Sequence, residues 1–150
     1  MLVNADELIT ALESSDREVE WYLDLTNGAV VPVFSDLVGE EENEAIADAV
    51  ETQPDRFFPI EPIGSQEAFR IMEAFVATLP AGTPADRLSL ALGQRHPFRG
   101  FKDALLAWPP IREQWFRIHN ARMREHAQDW LTGNQLEFTL TDQPASSFEA

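Results

Sequence analysis

The chain has 150 residues, no cysteine and a single tyrosine. Without thiols there are no disulfides, thiolate metal sites or cysteine nucleophiles, and the composition suits a reducing compartment. No apolar run approaches the roughly 20 residues that a bilayer-spanning helix needs. The opening stretch MLVNADELITALESSDREVE lacks the basic start and long apolar core of a secretory signal. A soluble, cytoplasmic protein is therefore expected. There is also no Gly-rich phosphate loop, no His-Glu-x-x-His pair and no Gly-x-Ser-x-Gly elbow. Bases are scarce: 11 Lys and Arg stand against 26 Asp and Glu, a formal charge of -15.

That charge is unevenly spread. Residues 1 to 62 hold 16 acids against only Arg17 and Arg56, whereas residues 63 to 150 hold 10 acids and 9 bases. At this length one hydrophobic core is sufficient, since folding hides roughly 68–70% of the unfolded surface. A single domain over residues 1–150 is expected, with no repeat or linker.

The front half alternates helical and strand patterns. Leu2 to Leu12 predicts a first helix, with Asn4 placed to cap it, Glu7 in capping-box position and Leu8, Ile9 and Leu12 as its apolar stripe. Val19, Trp21, Leu23 and Leu25 then alternate with polar residues. Asn27-Gly28 and Ala29-Val30-Val31-Pro32-Val33 follow, predicting a hairpin closed by a two-residue type I′ turn. Alternation places Tyr22 and Asp24 together on what reads as an exposed hairpin face. Residues 35–53 form an acidic exposed segment, with a loop or short helix around Glu42 to Val50. It is not a calcium loop, because Val38, Glu41 and Ala47 occupy positions that need an oxygen ligand, Gly and Glu. Arg56 to Ile60 predicts a third strand, kept short or on an edge by Pro59.

From Ser65 the period becomes helical. Ser65 caps a helix ended by Pro80-Ala81-Gly82, and Thr83-Pro84 caps and opens a short one to about Leu92. Pro97 begins a helix carrying Phe98, Phe101, Leu105 and Trp108. Pro109-Pro110 reopens the longest, to about Leu131. Leu136, Phe138 and Leu140 then predict a late strand returning to the hairpin sheet, and the tail 143–150 is expected to fray. The fold class is α+β: an N-terminal helix and a small antiparallel sheet, the hairpin at Asn27-Gly28, packed against about four C-terminal helices.

Several stretches in this order resemble the bacterial uncharacterised protein family 0158. They are Trp21 to Gly28, Glu67 to Phe75, Pro97-Phe98-Arg99-Gly100-Phe101-Lys102-Asp103, Trp115-Phe116 and Ala127 to Leu131, the third being the most specific. Many members carry a Gly-rich turn before that stretch, where this chain has Arg95-His96-Pro97. The resemblance implies kinship of fold and brings no activity, so function rests on residues.

No residue set reads as catalytic or metal-binding, and no cofactor is implied. His119 and His126 are seven apart, a rise of roughly 10.5 Å along a helix, too far to chelate one ion. A hydrolase would have to assemble Asp24, His96 and His119 from remote parts of the chain. Glu40-Glu41-Glu42 reads as a solvated charge run, and Trp21, Trp108, Trp115 and Trp130 as core. Gly100, costly inside a helix, points to close approach by a neighbouring helix.

The segment Arg95 to Arg124 stands out. Arg95, Arg99, Lys102, Arg112, Arg117, Arg122 and Arg124 face only Asp103 and Glu113, a net charge of +5. Arg117 and Arg124 share one helix face, while Trp115, His119, Arg122 and His126 track along another. The candidate binding face is Arg99, Lys102, Arg112, Arg117, His119, Arg122 and Arg124. The basic helices are expected to pack against the acidic front, within the molecule or in a second copy, or to dock a protein partner, making the chain a non-catalytic interaction or regulatory module. Nucleic-acid or phosphate binding through that face is the alternative, opposed by the net charge.

Overall fold

The computed structural model describes residues 1–36, 39–145, 147 and 148. The chain divides into two compact units: Met1–Ile63 with His126–Ala150, and Gly64–Glu125.

The first unit opens with strand β1 (Leu2–Asn4) and helix α1 (Ala5–Glu13). Asn4 is the cap as expected, its Oδ1 accepting from the Glu7 amide at 2.9 Å. Leu2 to Asn4 is strand, however, because its main chain pairs in parallel with β5 (Thr139–Thr141). The late strand thus joins the N-terminus in a separate two-stranded sheet, and not the hairpin sheet. Nothing local in Leu2-Val3-Asn4 distinguishes the two outcomes; a partner about 137 residues away does.

The second sheet has the order β3-β2-β4, from β2 (Val19–Asp24), β3 (Val30–Phe34) and β4 (Phe57–Ile60), all antiparallel neighbours. Pro59 sits on an edge strand, where its missing N–H is tolerated. The hairpin is present but its turn is not type I′. The Asp24 amide donates to the Ala29 carbonyl, and the Asp24 carbonyl accepts from Gly28 at 2.8 Å. Leu25 to Gly28 therefore forms a four-residue loop, in which only Gly28 has positive φ, 78°. Side chains select it: Asp24 Oδ1 accepts from the Thr26 amide and hydroxyl, and Asn27 Oδ1 from the Ala29 amide. A methyl group on Gly28 would overlap the Leu2 carbonyl oxygen, so β1 lies hard against this turn.

The acidic segment contains α2 (Glu41–Thr52), which buries a line of Asn43, Ile46 and Ala49, half-buries Ala47 and Val50, and exposes the rest. Its Leu37 and Val38 lie outside the described residues. Ile46 and Ala49 pack with Ala29, Val31 and Phe57, flanked by Tyr22, Val33 and Phe148. Asn43 exchanges two hydrogen bonds with the Phe34 main chain, 2.8 and 2.9 Å, and so satisfies the end of β3. Of the tail, Ser146, Glu149 and Ala150 lie outside the described residues. Within it the Gln143 and Ser147 carbonyls accept from Asn4 and Asn27.

The second unit contains α3 (Ser65–Ala77), α4 (Thr83–Leu92), α5 (Pro97–Leu105) and α6 (Pro109–Gly133) as far as Glu125; from His126 that helix belongs to the first unit. Ser65 and Thr83 each begin a helix and cap neither, since the cap positions are Gly64 and Gly82. Phe75, Phe101 and Trp115 form a mutually edge-on triangle, centroids 5.0 to 6.5 Å apart, at the core. Gly100 rests on Ala91 of α4, where a methyl would meet Ala91 Cβ at 3.6 Å. This is the helix contact its position in the sequence suggests.

Candidate functional site

The basic segment divides by what each side chain does. On α5, Arg99 and Lys102 are three residues apart and exposed, opposite the buried Phe101 and Leu105. On α6, Arg117 and Arg124 share the solvent side, because seven residues at 3.6 per turn return to nearly the same angle. Arg112 lies over the exposed Phe116 ring at 4.7 Å. Arg122 pairs with Glu125 at 3.3 Å, both exposed, a contact of small energetic worth. The face of Trp115, His119 and Met123 turns inward instead. Trp115 and Met123 are buried, and His119 is half-buried with its ring 5.0 Å from that of Trp115. His119 thus belongs to the packed side of the helix, apart from the cations. Among the described residues no ion pair is made by Arg95, Arg99, Lys102 or Arg117, all exposed.

The first unit handles charge differently. The face of Tyr22 and Asp24, expected to be solvent-exposed, is not: Tyr22 packs against the cluster that holds Ile46 and Ala49 of α2, and Asp24 lies beneath Arg56. Asp24 is wholly buried, and Arg56 clasps it through Nε at 3.1 Å to both oxygens and Nη2 at 2.8 Å. Burial pushes the Asp24 pKa up, but the hydrogen bonds from Arg56 and Thr26 outweigh it, so the group stays ionised below the usual carboxylate range. The guanidinium also lies 4.9 Å from the Phe57 ring and 5.7 Å from that of Phe148. Asp24 is thereby committed to structure and is unavailable for hydrolytic chemistry. Register carries the clue: β2 and β4 are antiparallel, so Arg56, just before Phe57, arrives beside the end of β2.

Composition did not reveal two hollows along β4. One of about 620 Å³ has Phe58 and Trp130 in its wall, their rings edge-on at 5.6 Å, with Glu61 and Asp129 at its rim. The other, about 280 Å³, is lined by Val19 to Tyr22 and by Pro59 to Pro62. Tyr22 donates to Glu20 Oε2 at 2.7 Å. The Trp21 Nε1 is buried with no hydrogen-bond partner among the described residues. Three of the four tryptophans are half-buried, and only Trp115 is buried. A third hollow of about 410 Å³, beside Phe69 and Phe98 in the second unit, is edged by Arg70 and Glu73.

Among the described residues, no three His, Asp or Glu side chains gather to hold a metal ion, and no helix is long and apolar enough to cross a membrane. The arrangement defines an α+β chain whose buried ionic chemistry is structural and whose uncommitted charge faces outward. The chain belongs to the uncharacterised protein family UPF0158, matched over residues 1–149. It is 31% identical over 147 residues to the UPF0158 protein PA5073 of Pseudomonas aeruginosa, covering 97% of this chain and 92% of that one. It is 26% identical over 143 residues to a UPF0158 protein of Chlamydia trachomatis serovar D, of whose length it spans only 43%. No solved structure matches the chain.

Proposed function

We propose that the chain is a non-catalytic interaction module of the bacterial cytoplasm, meeting an acidic surface of a protein partner through the cationic side of its second unit. The observation that carries this reading is the state of Arg99, Lys102 and Arg117. All three are exposed, and none forms an ion pair among the described residues. Internal pairing therefore does not account for them, and cations held out in water on helices favour an acidic counterpart. Supporting it, Asp24, the one wholly buried ionisable side chain among the described residues, is committed to Arg56.

Affinity purification of the tagged chain from its native cells, against an Arg99→Glu, Lys102→Glu, Arg117→Glu variant, tests this. A protein retained by the natural chain and lost from the variant is the expected result; equal recovery by both sinks it. The same cations favour a second reading, phosphate or nucleic-acid binding, which the net charge of -15 opposes. Random DNA or RNA bound with an affinity that falls steeply with salt would favour that reading instead.

A further inference from the structure

We propose that the two adjoining hollows along β4 form a groove for an extended, basic, proline-containing peptide segment of a partner protein. This goes beyond the reading of the cationic helices and uses the other unit. The hollows share Pro59, Glu61 and Pro62 as a common wall, so they adjoin along one ridge. Their apolar lining includes aromatic rings among aliphatic residues: Phe58 and Trp130 on one side, Trp21 on the other. Flat rings beside rigid prolines suit the rings of a polyproline-type segment, which reaches the groove already extended and loses little entropy there.

Polar complementarity points to the same occupant. Pro59 interrupts the outer edge of β4 by having no N–H, which disfavours capture of a peptide as an added strand. A proline-containing segment offers carbonyl acceptors with few N–H groups of its own needing partners. At the rim, Glu20, Glu61 and Asp129 are exposed carboxylates, and none forms an ion pair among the described residues. Glu20 is held by the Tyr22 hydroxyl at 2.7 Å. Three acids around an aromatic floor call for Arg or Lys side chains, whose heads pair with carboxylates while their stems lie on the rings.

The test titrates the intact chain with three synthetic probes: the peptide Pro-Pro-Arg-Pro-Pro-Arg-Pro, the same peptide with Glu for Arg, and the same with Gly for Pro. Binding is read from the indole N–H signals in a proton–nitrogen NMR spectrum. The first probe should bind saturably and shift Trp21 and Trp130, leaving Trp108 and Trp115 in place. The Glu probe should not bind, and the Gly probe should bind at least about fivefold more weakly for want of preorganisation. Glu61→Lys should weaken the first probe by about tenfold or more. Circular dichroism of that variant should match the natural chain, because Glu61 is exposed. A Gly probe binding equally well without moving either indole would reduce the groove to a plain acidic surface and overturn the proposal. So would unaltered affinity in Glu61→Lys, or a dimer of the chain whose formation displaces the probe. A failure here leaves the cationic helices untouched, since a cationic probe does not report on them.

Discussion

The two units use charge in opposite ways. Residues 1–63 with 126–150 carry 20 acids and only Arg17 and Arg56, net -18, whereas residues 64–125 carry nine bases and six acids, net +3. In the first unit one base is spent on a buried acid: Arg56 holds Asp24, and its guanidinium lies against the Phe57 and Phe148 rings. In the second, the bases stand in water and the core is built from neutral rings. The sign of a region's net charge therefore says little about which charges hold it together. Burial decides that, because a desolvated ion without its partner is costly and a solvated one is nearly free.

Arg56→Ala set against Arg99→Ala and Lys102→Ala tests this contrast most strongly. Removing Arg56 leaves Asp24 buried and uncompensated, and should destabilise the chain by about 3–5 kcal/mol. The two surface changes should stay within about 0.5 kcal/mol. Urea denaturation measures all three; equal effects would abolish the distinction. The pH dependence follows with a definite sign. Because the folded Asp24 is more acidic than usual, its contribution is complete above the ordinary carboxyl pKa of about 3.9 and is lost as pH falls through its depressed folded value. Relief of repulsion among exposed acids acts in the other direction. The informative measurement is therefore the difference from Asp24→Asn, which should lose less stability between about pH 4 and pH 2.

A smaller contrast concerns two glycines. Gly28→Ala forces a methyl toward the Leu2 carbonyl at positive φ and should cost about 1–3 kcal/mol. Gly100→Ala meets Ala91 only at van der Waals distance within a helix, and should stabilise by about 0.5–1 kcal/mol. Thermal melts of the two variants should move in opposite directions. If Gly100→Ala also destabilises, α5 and α4 pack more tightly than the 3.6 Å approach implies.

These sites also show how far the sequence could be read. Local chemistry located the Asn4 cap, the hairpin and the edge position of Pro59, because a side chain or a ring decides each within a few residues. Leu2 to Asn4 was misread as helix because a distant strand decides it, and parallel pairing leaves no turn signature between the partners. The turn type failed for a subtler reason: Asn27-Gly28 suits a two-residue turn, but Asp24 and Asn27 each cap the chain two residues on and draw it into a longer loop. Of the candidate binding residues, the inward face of Trp115 was legible from helical period, but the exposure of the cations was not, because periodicity groups residues on a face without saying whether anything covers it. The groove along β4 was not, since Trp21, Phe58 and Trp130 lie on two strands and a helix far apart in sequence.

The least forceful prediction tests the groove wall itself. Tyr22 is the sole tyrosine, so tyrosinate absorbance titrates it alone. Its pKa is pushed up to about 12, first by burial, then by the hydrogen bond to Glu20 and the charge of that carboxylate. The neutral phenol is the form that donates, and it favours folding below the ordinary phenol value of about 10, a contribution lost as pH climbs through the folded value. Glu20→Gln keeps an acceptor but removes the charge. Its titration midpoint should fall yet remain above that of free tyrosine, because burial, the largest cause, is unchanged. A midpoint near 10 in the natural chain would mean that α2 does not cover this face in solution. The packing of Tyr22 against the cluster of Ile46, Ala49 and Phe57, the apolar side of the acidic unit, would then fail with it.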